Sequence, residues 1–172
     1  MIRPLTAFAQ LTDIFLPDHE WPGYGEGICV QTYHKIWMHF VWSTYKQERI
    51  IVKSLMSELI PHYKEYGKIK DIHVDTVNGA MDHLHILVGL KPSQSASEVA
   101  NLLKGESSNW INKNSFIQGK FAWQNGYSVF SVSESQIEKV RRYICDQEDH
   151  HRRKNYQEEI SEFLNSHGLD IK

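Results

Sequence analysis

Two histidines, His83 and His85, stand one residue apart inside an apolar run, Met81–Leu90 (MDHLHILVGL). In an extended strand alternate side chains share a face, which puts both imidazoles on one side, about 6–7 Å apart at Cα level. Two imidazoles at that spacing can grip one divalent ion. The plain alternative is two histidines on a solvated sheet face. A second pair, Tyr143 and Gln147, is four residues apart in a segment whose apolar stripe is Ile137, Val140 and Ile144. On a helix those two side chains diverge by only about 40°. They sit at the edge of the stripe, where a group can face a sheet and still reach solvent. A free tyrosine, with a pKa near 10, attacks poorly at neutral pH unless its anion is favoured or its proton is taken. Read alone, this pair is equally an ordinary boundary tyrosine beside a solvated glutamine.

The elements that must position these groups follow from periodicity. Ile36–Ser43 (IWMHFVWS) is rich in aromatic and β-branched residues and predicts a strand. A helix is expected over Ile51–Tyr66, with Leu55, Met56, Leu59, Ile60 and Tyr63 at helical spacing. Pro61 should kink it, and Gly67 is a plausible stop. Runs at Ile69–Val77 and Met81–Leu90 flank Asn78-Gly79, a strong hairpin signal. Ser95 and Glu98 form a capping box for a second helix through Val99, Leu102, Leu103, Trp110 and Ile111, interrupted by Gly105. Tyr127–Val132 predicts a short strand. A third helix is expected from Ser133, with Gln136 completing another capping box. The order strand–helix–strand–strand–helix–strand–helix implies an α+β, ferredoxin-like antiparallel sheet with helices packed on one face and the tyrosine on a C-terminal helix.

Four ordered segments give the chain a resemblance to a known family. MDHLHILVGL resembles the HUH motif (His, bulky hydrophobic, His). Lys104–Asn112 (KGESSNWIN) and Trp123–His151 resemble the single-tyrosine transposases of small insertion sequences, nearest to the REP-associated tyrosine transposases. Trp37–Glu48 is similar to that family's first strand. The resemblance covers roughly residues 33–169. It implies that Tyr143 is the nucleophile and that His83, His85 and Gln147 hold the metal. It further implies a metal-dependent transposase that cleaves and rejoins single-stranded DNA through a 5′-phosphotyrosine, without ATP, at hairpin-forming element ends. Neutral ligands leave an ion's full charge for a phosphate, and phosphate oxygens favour hard ions, so Mg²⁺ or Mn²⁺ is expected. The family also implies a homodimer whose active sites can be shared between subunits, with a site built within one chain as the alternative. Two other readings stay open: a replication or mobilisation nickase using the same HUH chemistry, and a non-catalytic ferredoxin-like nucleic-acid-binding module.

Composition sets the limits around this reading. The 172 residues suit one domain, and 41% hydrophobic residues suffice for a core. Residues 1–34 carry one base and four acids, three prolines and a Gly-rich run, and are expected to be an N-terminal extension to a domain at 35–172. The net charge of −2 forbids reliance on a broadly basic surface. DNA contacts are therefore expected from local groups: Lys104, Ser107 and Ser108 around Gly105, and Arg141 and Arg142 beside Tyr143. His39 reads more readily as a packed histidine, and the run His150–Lys154 as either a solvated tail or a DNA clamp. No apolar stretch approaches the roughly eighteen residues of a membrane span, no signal peptide is evident, and two distant cysteines fit a reduced, cytoplasmic compartment.

Overall fold

The strands β1 (Ile36–Ser43), β2 (His73–Gly79), β3 (His83–Leu90) and β4 (Ser128–Val132) form one antiparallel sheet in the order β2-β3-β1-β4. The computed structural model describes residues 33–147, 156–166 and 168. The expected extension at 1–34, apart from Tyr33 and His34, and the basic run at 150–154 lie outside the described residues. Among the described residues four helices accompany the sheet: α1 (Lys53–Ile69), α2 (Ala96–Lys113), α3 (Ile137–Cys145) and α4 (Tyr156–Ser166). The expected α+β, ferredoxin-like order is present, with α4 as an added element.

Alternation along the strands separates two faces. Phe40, Trp42, Leu84, Ile86 and Val88 point into the main core against Leu55, Leu59 and Tyr63 of α1 and Leu103 and Ile111 of α2. The other face carries Leu87 against Ile137 and Ile144 of α3, and Val41 and Phe130 against Tyr156 and Ile160 of α4. The tyrosine helix and α4 thus lie on the face opposite α1 and α2. Register places Ser43 opposite His83 and Val41 opposite His85, so β1 and β3 present one continuous surface to α3 and α4.

Several boundaries differ from expectation for physical reasons. Helix α1 runs past Gly67, which is buried inside it; a Cβ there would meet the Ile72 carbonyl oxygen and a Val74 methyl at 2.8 Å, so the glycine permits close packing rather than ending the helix. The hairpin turns at residues 80–82, while Asn78 and Gly79 remain paired with His85 and Leu84. Ser95 caps α2 as expected, accepting from the Glu98 amide at 3.2 Å. Ser133 makes no such cap: a 3-10 turn, Glu134–Gln136, precedes α3, and the Ser133 hydroxyl meets that of Ser135 at 3.2 Å. Helix α3 ends at Cys145, so Gln147 sits just beyond it.

Candidate metal and nucleophile site

The central pair on β3 behaves as the period of two demands: His83 and His85 share the face that meets α3 and α4, and both are fully buried there. Each imidazole is held by its second nitrogen. His83 Nδ1 lies 2.6 Å from Asp82 Oδ1, and His85 Nδ1 lies 3.0 Å from Nε2 of His39 on β1. The two Nε2 atoms converge on one carboxylate: His83 Nε2 is 3.2 Å from Glu159 Oε2, and His85 Nε2 is 3.2 Å from Glu159 Oε1. Gln147, also buried, donates from Nε2 to Glu159 Oε1 at 3.1 Å. One ligand atom each from His83, His85 and Glu159 lies within 4.8 Å of the others.

The charges of this cluster are mutually supported. Burial alone would lower the His83 pKa, but hydrogen bonds and charge from Asp82 and Glu159 outweigh it and hold it above its ordinary value. Burial would raise Glu159, yet the two imidazoles bring its carboxyl down to about 2. A buried carboxylate between two imidazole nitrogens is a set of hard and borderline donors that suits a divalent cation.

Tyr143 of α3 stands beside this cluster in the same chain. Its ring centroid is 5.6 Å from that of His85, edge on, and 6.3 Å from that of His39. Phe163 of α4 closes the other side at 5.5 Å. Helix α3 is tied to its own sheet: Arg141 makes two 2.8 Å hydrogen bonds to Asp75 of β2 and lies over the Trp37 ring, and Asn78 donates to the Cys145 carbonyl at 2.9 Å.

The residues expected at DNA divide into two groups. Arg142 is exposed next to Tyr143. Ser108 is part-buried and donates to the Phe121 carbonyl at 3.4 Å. Arg141 is committed to Asp75 and Glu138. Lys104 donates to the carbonyls of Gln124, Asn125 and Gly126 at 2.8, 3.3 and 2.7 Å, pinning the loop before β4. Ser107 is buried; it accepts from Tyr63 at 2.7 Å and Trp123 at 2.9 Å and donates to the Leu103 carbonyl at 2.7 Å.

Three participants were missed or undervalued in sequence. His39 looked like packing because it sits among aromatics. Asp82 is the ordinary-looking neighbour of the HUH pair. Glu159 had a readable signal: it is the single acid within the stripe Tyr156, Ile160, Phe163 and Leu164, whose spacing is helical.

Among the described residues no helix is long and apolar enough to cross a membrane. A family model described as "Transposase IS200 like" matches residues 32–147. The ISDra2 transposase TnpA of Deinococcus radiodurans is 22% identical over 116 residues, 64% of this chain and 83% of that protein. Among solved structures, a candidate transposase from Deinococcus radiodurans aligns with a TM-score of 0.56 at 20% identity, covering 72% of this chain and 98% of that one. A REP-associated tyrosine transposase bound to a REP hairpin aligns at 0.52 and 11% identity, covering 73% and 74%.

Proposed function

The chain belongs to the IS200-like transposase family, and on that premise we propose that it cuts and rejoins single-stranded DNA through a covalent bond to Tyr143, with Mg²⁺ or Mn²⁺ held at the histidine pair. The observation that carries this reading is the placement of the Tyr143 ring 5.6 Å from His85, beside two imidazoles and a carboxylate that meet at one point.

His83 and His85 would ligate through Nε2, the atoms that converge. Asp82 and His39 accept the Nδ1 protons and so fix both rings with Nε2 lone pairs inward. The third position falls to Gln147 or Glu159. In the present hydrogen bond the Gln147 amide nitrogen faces Glu159, so its oxygen becomes a donor only once the amide turns over. A bound divalent ion supplies positive charge to the scissile phosphate. Tyr143 Oη gives up its proton and forms the new bond to phosphorus; the bond to the departing 3′ oxygen breaks, and that oxygen takes up a proton. The products are a 5′-phosphotyrosine and a free 3′-hydroxyl. Reversal by another 3′-hydroxyl rejoins DNA, the energy of the cut bond having been kept in the ester.

Arg142, an exposed cation next to Tyr143 in sequence, would contact the phosphate backbone. The likeness to a transposase that binds a REP hairpin supports a folded hairpin as the recognised form, with cutting in nearby unpaired DNA. The test is incubation with a pool of single-stranded oligonucleotides, read as a covalent adduct on a denaturing gel. The adduct should form with Mg²⁺ or Mn²⁺, vanish in EDTA, and vanish in Tyr143→Phe. Undiminished adduct in EDTA removes the metal from the reading, and adduct in Tyr143→Phe removes the nucleophile.

A further inference from the structure

A cavity of about 440 Å³ opens beside Tyr143, with Tyr143 and His39 themselves in its lining. Phe130 of β4 forms part of its lining, with Val140 and Tyr143 of α3 and Phe163 of α4. The Phe130 and Phe163 rings stack at 5.4 Å with 21° between their planes, and Phe163 meets Tyr143 edge on. Gln136 and Lys139 also line it, and both are exposed to solvent. This is an apolar slot with a polar mouth, within the size range of small-ligand sites.

The chemistry of the lining selects an occupant. The inner walls are Phe130, Val140 and Phe163, against which a flat heterocycle gains contact, while Ser131, Ser133, Gln136 and Lys139 line the exposed side and leave polar groups for the base edge and the sugar–phosphate. Lys139 is one helical turn before Tyr143, and residues four apart on a helix are neighbours. A strand laid along α3 would then bring one phosphate to Tyr143 and an adjacent one to the Lys139 amine, with the base between them turned into the slot.

We propose that this cavity binds the nucleobase flanking the phosphate attacked by Tyr143, against the Phe163 and Phe130 rings, with Lys139 on the adjoining phosphate. The proposal rests on the reading of Tyr143 as the nucleophile. It makes the site read its substrate for an unpaired nucleotide at the cut, independently of any hairpin held elsewhere.

The test begins with the strand recovered by sequencing the DNA in the covalent adduct. That strand is resynthesised with an abasic sugar at each position in turn. One of the two positions flanking the cut should raise the DNA concentration needed for half-maximal adduct by about tenfold, the scale of a single stacked base, and more distant unpaired positions should not. Phe163→Ala should lose a similar factor on the intact strand and be indifferent to the flanking abasic sugar, because both changes remove the same contact. Val140→Trp, which fills the slot, should behave likewise. Thermal melting checks that each variant is folded, and the abasic series on wild-type protein stands without any variant. Unchanged half-saturation with an abasic sugar at both flanking positions overturns the proposal, as do losses from Phe163→Ala and the abasic sugar that multiply. A change of oligomeric state in Val140→Trp would assign the cavity to a second copy of the chain and overturn it too. Adduct persisting in Tyr143→Phe is the separate result that defeats the nucleophile instead.

Discussion

At the scale of single residues the site depends on which nitrogen of each ring carries the proton. His85 can offer Nε2 to a cation only if Nδ1 holds the hydrogen, and the acceptor for that hydrogen is His39 Nε2 at 3.0 Å. His39→Phe should therefore weaken Mn²⁺ binding by about tenfold, within the range for lost orienting partners. His39→Asn or His39→Gln, which restore a carbonyl acceptor, should recover part of it. Calorimetric titration of Mn²⁺ into Tyr143→Phe protein reads this without catalysis; equal affinity in His39→Phe would show that the contact is only packing. The histidine pair was legible in sequence because two polar rings at i and i+2 interrupt an apolar strand. His39 was not, since its role exists only through the register of β1 on β3. Glu159 is more than seventy positions away from the histidines it meets, a distance that local spacing cannot bridge.

The elements add the question of how α3 is aimed. Burial would raise the Asp75 pKa, but hydrogen bonds from Arg141 and Thr76 and the charge of Arg141 hold it below the usual carboxylate range. A carboxyl depressed in the folded state contributes stability above its ordinary pKa, and that contribution is lost as pH falls through the depressed value. Asp75→Asn should cost roughly 1–2 kcal/mol near neutral pH, given a partly exposed partner. The difference in melting temperature from wild type should shrink as pH drops below about 4. A difference that stays constant with pH would mean that Asp75 acts through shape alone. The existence and order of β1 to β4 and α1 to α3 were readable from periodicity, and so was the Ser95 cap. The latch was not: Asn78 looked like a turn residue and Arg141 like a phosphate contact, and their partners are brought close only by the folding of α3 onto β2.

For the whole molecule the same latch bears on assembly. Family resemblance led to an expected homodimer with active sites shared between subunits, yet here Tyr143 lies against the histidines of its own chain and α3 is bound to its own β2. Mixing Tyr143→Phe protein with a His83→Ala/His85→Ala double variant should accordingly restore no adduct formation. Recovered activity in the mixture would mean that α3 leaves its own sheet to serve another. The overall fold was legible because two hydrophobic faces were written into the strands by alternation, one for α1 and α2 and one for α3. The second cover, α4, was not assigned, because its stripe is short and an acid stands within it.

That alternation has a consequence for inheritance. A Cβ on Gly79 would lie 2.2 Å from the His83 carbonyl oxygen, so the hairpin closes with no slack. One codon gained or lost within β3 would shift its phase and exchange the two faces, sending Leu84 and Ile86 to the tyrosine and both imidazoles into the core beside Phe40 and Trp42. The phase of these eight residues, more than any one apolar side chain among them, is what keeps the imidazoles on the face of α3 and α4.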